Sequence, residues 1–116
     1  PDLLARVGGE EFALLLPDTG EREAVTLLER VRRKVQETPL PHADGPIPMT
    51  VSAGVAESRP DMEPGRWMHV ADAALYMAKR CGRNRTVRAT QVPEETLTGG
   101  SPPPHCVILS EPGSED

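Results

Sequence analysis

No stretch of this sequence is apolar for long. Uninterrupted runs such as residues 12–16 are far short of the ~20 residues that a membrane span requires, and no basic start followed by an apolar segment marks a secretory leader. Cysteine is scarce. Cys81 and Cys106 lack the spacing of a metal or dithiol redox site, so reduced thiols in a cytoplasmic protein are expected. Basic residues disappear from the last quarter of the chain: all 13 Lys and Arg precede Thr90, whereas five of the 18 acids follow it. Residues 90–116 also hold five prolines and three glycines but no aromatic residue, a composition that cannot bury enough apolar surface to offset its ordering entropy. They read as an acidic, disordered tail. The net charge of -5 therefore belongs to that tail, and residues 1–89, with 13 acids against 13 bases, are neutral. A neutral core gives no general case for nucleic acid or membrane binding.

What remains is one domain at most, since 116 residues fall within the ~100–150 usual for a single domain. The chain opens at Pro1 without a methionine. Initiator removal before proline would explain that, and so would a chain that is a piece of something longer.

Residues 3–7 and 12–16 are apolar runs about a Gly-containing turn, the pattern of a β-hairpin. The second run is apolar at every position, which predicts a strand covered on both faces and ended by Pro17. Asp18 or Thr19 is expected to cap a helix reaching about Glu37, with Ala24, Leu27, Leu28, Val31 and Val35 as its apolar stripe. Glu29 and Arg33 lie four apart on the charged face. A loop rich in Pro and Gly follows over residues 39–48. Alternation over residues 49–56 predicts a strand, with Met49, Val51, Ala53 and Val55 on one face and Thr50, Ser52 and Gly54 on the other. A second helix is expected from Pro64 to a glycine cap at Gly82, burying Trp67, Ala71, Ala74, Leu75 and Ala78. A short strand at residues 86–88 closes the core. Helices between strands, with one hairpin, indicate an α/β or α+β sheet packed under helices. So few strands leave one sheet face or edge short of cover, and a neighbour is expected there.

The chemistry concentrates in two places. In "LLARVGGEEFALLLP", residues 3–17, the adjacent carboxylates of Glu10 and Glu11 repel one another unless a cation sits beside them. Mg²⁺ takes carboxylate oxygens and keeps substrate phosphates as co-ligands, and Gly8 and Gly9 carry no side chain to block a phosphate or base approaching the backbone. The plain alternative is a Gly-Gly hairpin turn with two solvated glutamates. The second place is the stretch holding Lys79, Arg80, Arg83, Arg85 and Arg88, which contains no acid. Lys and Arg near phosphate oxygens are what phosphoryl transfer asks of a protein. Cations at a helix C-terminus also offset the negative end of the macrodipole without any ligand. A nucleic-acid surface is disfavoured, because Tyr76 is the one aromatic nearby and base stacking needs more. Acids for a metal and bases for phosphates are complementary halves of a nucleoside triphosphate site.

"LARVGGEEFALLLPDTGEREA", "TVSAGVA" and "ADAALYMAKRCGRNRTV" together resemble the later half of a GGDEF domain, the diguanylate cyclase module that condenses two GTP into cyclic di-GMP with release of pyrophosphate. The resemblance covers about residues 2–88 and implies a partial fold of the nucleotide-cyclase and polymerase-palm type. It assigns Gly8 and Gly9 to the substrate turn, and Glu10 to the metal (Mg²⁺ or Mn²⁺) and to the general base toward the ribose 3′-hydroxyl. Glu11 is implied as the acidic catalytic partner, in a GGEEF variant. Lys79 and Arg83 match the cations on the GTP phosphates. Asp2 matches the aspartate of the RxxD product-inhibition site, and Arg30 resembles that site's secondary arginine, with a solvated helix cation as the plain reading. Asp72 is also a family position, for which a structural role is expected.

Two departures bear on activity. The family's earlier half, with a metal-binding aspartate and the guanine-recognising residues, is not in this sequence, nor is the arginine of RxxD. Val7 replaces the usual aromatic residue and Ala53 a frequent isoleucine. The chain alone is therefore expected to be inactive or nearly so. A homodimer is implied for catalysis, since each half-site holds one GTP, with upstream sensory or receiver domains arranging it. The alternative function is a non-catalytic module that binds GTP or cyclic di-GMP and regulates a partner.

Overall fold

The computed structural model describes residues 3–93. Asp2, Cys106 and the tail from residue 94 lie outside the described residues, so the expectations placed on them go no further. The elements are β1 (Leu3–Arg6), β2 (Phe12–Leu15), α1 (Glu21–Gln36), β3 (Ala53–Val55), α2 (Pro64–Arg80) and β4 (Thr86–Arg88), ending in a 3-10 turn, Ala89–Gln91. No helix among them is long and apolar enough to cross a membrane.

The architecture is mixed α/β, but the strands form two separate pairs. β1 and β2 are antiparallel, in register from Leu3 opposite Leu15 to Arg6 opposite Phe12. β3 and β4 are parallel, with Ala53 opposite Thr86 and Val55 opposite Arg88, and α2 supplies the crossover that a parallel pair requires. The core lies under α2, where Ala73, Ala74, Met77 and Ala78 pack with Val87 and Val92. Four small or flexible side chains on one helix face let the strands approach closely. The limit is reached at Gly54: a Cβ there would sit 2.5 Å from the Ala71 carbonyl oxygen and 2.8 Å from Leu75 Cα, and closer still to the Leu75 nitrogen.

Several expectations change in three dimensions. The all-apolar strand β2 is not covered on both faces; Phe12 is 62% exposed and Leu14 and Leu15 about 40%. Among the described residues β1 and β2 pair only with one another. Neither Asp18 nor Thr19 caps α1. Asp18 takes a left-handed backbone (φ 52), unlike the extended backbone of an N-cap, and the Thr19 hydroxyl donates back to the Pro17 carbonyl at 2.8 Å. Gly20 is the N-cap. Its N–H donates to Glu23 Oε1 at 3.2 Å, while the Glu21 N–H donates to Glu57 Oε1 at 2.8 Å, so a carboxylate from a distant loop satisfies the helix start.

The strand expected over residues 49–56 shortens to Ala53–Val55, because only those residues lie opposite β4. The loop before it contributes an isolated antiparallel bridge between Leu40 and Ile47. On α2 the buried face is Val70, Ala73, Ala74, Met77 and Ala78, rotated from the expected stripe, with Trp67, Ala71 and Leu75 half-buried at its margin. Trp67 faces β3 instead, its indole donating to the Ala56 carbonyl at 2.8 Å. Val31 of α1, expected inside, is 40% exposed. Packing also continues past Ala89, where the tail was expected to begin: Gln91 and Val92 are buried, and the Thr90 hydroxyl donates to Glu21 Oε1 at 2.8 Å.

Candidate functional site

The turn between β1 and β2 carries both glycines and both glutamates. It is closed by the Val7 and Gly8 N–H groups, which donate to the Glu11 carbonyl at 3.0 and 3.3 Å. Arg6 wraps it from beneath, Nε donating to the Gly8 carbonyl at 3.1 Å and Nη2 to the Gly9 carbonyl at 2.6 Å. Sequence reasoning gave Arg6 no role, although a guanidinium two residues before a glycine pair is a readable signal for a turn whose carbonyls need donors. Neither glycine has the left-handed backbone that would demand one. A Cβ would meet nothing within 4 Å at Gly9 and make only an ordinary 3.7 Å contact at Gly8. Within the described residues, then, the fold itself leaves room for a side chain at both positions.

Glu11 points across to the end of α2. Its Oε2 accepts from Lys79 Nζ at 3.0 Å, joining residues 68 apart in sequence. The two side chains keep 43% and 27% of their exposure, and pairs this open contribute about 0.2–1 kcal/mol. Glu10 is exposed and makes no hydrogen bond or ion pair among the described residues. No cluster of three metal-ligating side chains occurs among them either. Of the two carboxylates at the turn, Glu10 is thus the one left without a partner among the described residues.

Arg83 lies just beyond α2. The helix ends at its C-cap Cys81, Gly82 follows with φ 113, and the Arg83 N–H donates to the Ala78 carbonyl at 2.9 Å, the six-to-one bond of a Schellman stop. Arg83 is exposed, and its guanidinium has no partner among the described residues. Lys79 and Arg83 therefore share the C-terminal end of α2, where the GGEE turn meets it. Arg30 is exposed on α1, likewise without a partner among the described residues, and nothing described brings it to the turn. Asp72 is exposed on α2.

A polar network that the sequence did not reveal links α1 to the residues after α2. Arg32 forks onto Glu29, Nε to Oε2 and Nη2 to Oε1, both at 2.9 Å, and its Nη1 donates to Asn84 Oδ1 at 2.9 Å. The hydrogen bond from Arg32 holds the Glu29 carboxyl below the ordinary glutamate value of 4.5, against the opposing effect of burial. A depressed carboxyl contributes stability that is complete above that ordinary value and is lost as pH falls through the folded one. Urea midpoints of the chain should accordingly drop on acidification below about pH 4.5, and Glu29→Gln should flatten that part of the profile. An unchanged acid slope in the variant would show that Glu29 is not the group responsible.

The family model described as "Diguanylate cyclase, GGDEF domain" matches residues 1–85. Diguanylate cyclase DosC of Escherichia coli (strain K12) is 39% identical over 87 residues, covering 72% of this chain and 18% of DosC. Among solved structures, the GGDEF domain of DgcB from Caulobacter crescentus, in complex with c-di-GMP, superposes with a TM-score of 0.72 at 40% identity, over 78% of this chain and 54% of that one. The diguanylate cyclase SiaD from Pseudomonas aeruginosa, in complex with its activator SiaC, gives 0.69 at 42% identity, over 75% and 34%. The chain spans about a fifth of the length of the curated relatives it matches. The motifs, the hairpin meeting the end of α2 and the match across residues 1–85 converge: this chain belongs to the GGDEF domain family.

Proposed function

We propose that this chain is the C-terminal part of a diguanylate cyclase domain, contributing the metal-side carboxylate turn and the phosphate-side cations of a GTP half-site. The observation that carries the reading is the Glu11–Lys79 ion pair. It puts the acidic turn and the basic helix end side by side, as a metal-bound triphosphate would need them. The pair is exposed and weak, so Lys79 can turn to a phosphate at little cost. Arg83, unpartnered among the described residues, adds a planar fork suited to phosphate oxygens.

In this reading Glu10 accepts the proton of the attacking ribose 3′-hydroxyl and helps to hold Mg²⁺ or Mn²⁺. Glu11 braces Lys79 until substrate arrives, and Gly8 and Gly9 leave the space that the nucleotide occupies. When bound, the metal neutralises charge developing on the phosphates. Lys79 and Arg83 orient the triphosphate so that the displaced pyrophosphate is stabilised as it leaves. Each domain would hold one GTP, so synthesis requires a homodimer, arranged by upstream sensory or receiver segments in the cytoplasm. The c-di-GMP held by the DgcB domain supports product binding as a second property, with Asp2 and Arg30 as its assigned residues here. The activator on SiaD supports control by a protein partner.

Lys79→Met and Arg83→Ala test the phosphate half of the proposal in the full-length protein that carries this sequence. Each removes a charge-assisted contact of ~1.5–3 kcal/mol, so the KM for GTP should rise about 10- to 100-fold. An unchanged KM in both would sink the phosphate reading. The incomplete ligand set among the described residues is also what a non-catalytic module binding GTP or cyclic di-GMP would have, and the Glu10 variant discussed below separates the two.

A further inference from the structure

Three residues in succession after α2 have left-handed backbones: Gly82 at φ 113, Arg83 at φ 62 and Asn84 at φ 48. Gly82 has no Cβ to resist this. Asn tolerates it better than most residues, and Arg does not. Two such residues side by side persist only where their surroundings over-determine them, and strain of this kind collects where a side chain must be aimed.

Four contacts do the holding. The Arg83 N–H donates to the Ala78 carbonyl at 2.9 Å, which fixes the turn to the helix end. The Asn84 N–H donates to the Ser52 hydroxyl at 3.1 Å, which fixes it to the segment entering β3. Arg85 Nε donates to the Arg83 carbonyl at 3.1 Å. The fourth contact reaches from α1, where Arg32 Nη1 donates to Asn84 Oδ1 at 2.9 Å. Arg32 is itself immobilised, because its fork on Glu29 uses both remaining sides of the guanidinium and its side chain is only 16% exposed.

We propose that Arg32, through Asn84, is a positioning residue for Arg83: it locks the left-handed turn that presents the Arg83 guanidinium to the triphosphate. The inference rests on the assignment of Arg83 to phosphate made above. Arg32 lies on a different element from Glu10, Glu11, Lys79 and Arg83 and hydrogen-bonds to none of them. Without the clamp, residues 83 and 84 relax toward ordinary backbone angles, which carries the guanidinium away from the end of α2. Misplacement by about an ångström is enough to lose a well-oriented contact.

The experiment is a double-mutant cycle on the full-length protein, reading KM and kcat for GTP together with the urea midpoint. Arg32→Met is expected to raise KM about tenfold with kcat within about twofold, and to add little to the loss already caused by Arg83→Ala. Asn84→Gly retains a residue at ease with positive φ but removes the acceptor, and is expected to raise KM by a smaller factor with the midpoint nearly unchanged. It also serves as the deciding variant should Arg32→Met fail to fold. A clamp that served stability alone would lower the midpoint and leave KM untouched in both variants, and that result overturns the proposal. Fully additive losses for Arg32→Met and Arg83→Ala overturn it as well. If Arg83→Ala itself leaves KM unchanged, the phosphate assignment has failed and this inference falls with it. If Arg83→Ala raises KM and the Arg32 and Asn84 variants do not, only the inference falls.

Discussion

Glu10→Gln is expected to reduce cyclic di-GMP synthesis by the full-length protein about 10³-fold or more, while leaving product binding within about twofold of the parent. The magnitude follows from the two duties proposed for one carboxylate. General-base catalysis alone is worth about 10²–10⁴-fold, and glutamine also lacks the charge that a hard cation seeks. Folding should be unaffected, since Glu10 is exposed and has no partner among the described residues whose loss would strand a polar group. Paired measurements of turnover and of cyclic di-GMP affinity decide the matter. Loss of synthesis with binding retained supports the cyclase reading. A parent protein that binds the dinucleotide but makes none, with or without Glu10, favours the regulatory module.

Gly54→Ala should have a larger effect on stability than a methyl group added at any other described glycine. β3 lies against α2 so closely that the new Cβ would enter the backbone of Ala71 and Leu75, at 2.5 Å from one carbonyl oxygen and 2.8 Å from one Cα. Backbone atoms in the middle of a helix have no rotamer to change, so the strand or the helix must move as a whole. Overpacking of a core costs about 1–3 kcal/mol and occasionally more, and this case belongs at or beyond the upper end. Against a total stability of about 5–15 kcal/mol for an ordinary domain, the urea midpoint should fall sharply or the cooperative transition disappear. A control at Gly9, where a Cβ meets nothing within 4 Å, should leave the midpoint nearly unchanged. If Gly54→Ala melts like the parent, β3 does not approach α2 as described.

The helices were the most readable part of the chain. The 3.6-residue repeat of apolar side chains located α1 and α2, with Pro64 and Gly82 marking the ends of the second. Even so, the repeat placed Leu75 and Trp67 inside while Met77 and Val70 hold the core. Several neighbouring residues of α2 are apolar, and only the strand lying over the helix settles which of them it covers. The cap of α1 shows the same limit. Asp18 and Thr19 have the right chemistry at the right place, but the turn after Pro17 uses them itself, and the acceptor comes from Glu57.

The candidate site divides along the same line. That Glu10, Glu11, Lys79 and Arg83 matter could be argued from charge and from the glycines beside them, because the types of residue needed for a metal and for phosphates are few. The sequence by itself determined the helical segments, the hairpin, the charge asymmetry between residues 1–89 and 90–116 and the inventory of chemical groups, since each follows from local dihedral preference or from composition. Only the tertiary structure decided that Lys79 meets Glu11, that Arg32 reaches Asn84 and that Gly54 is a contact point between β3 and α2. Those are encounters between residues distant along the chain. Periodicity constrains only neighbours a few residues apart, so such pairs are fixed when strands and helices pack and their side chains compete for the same partners.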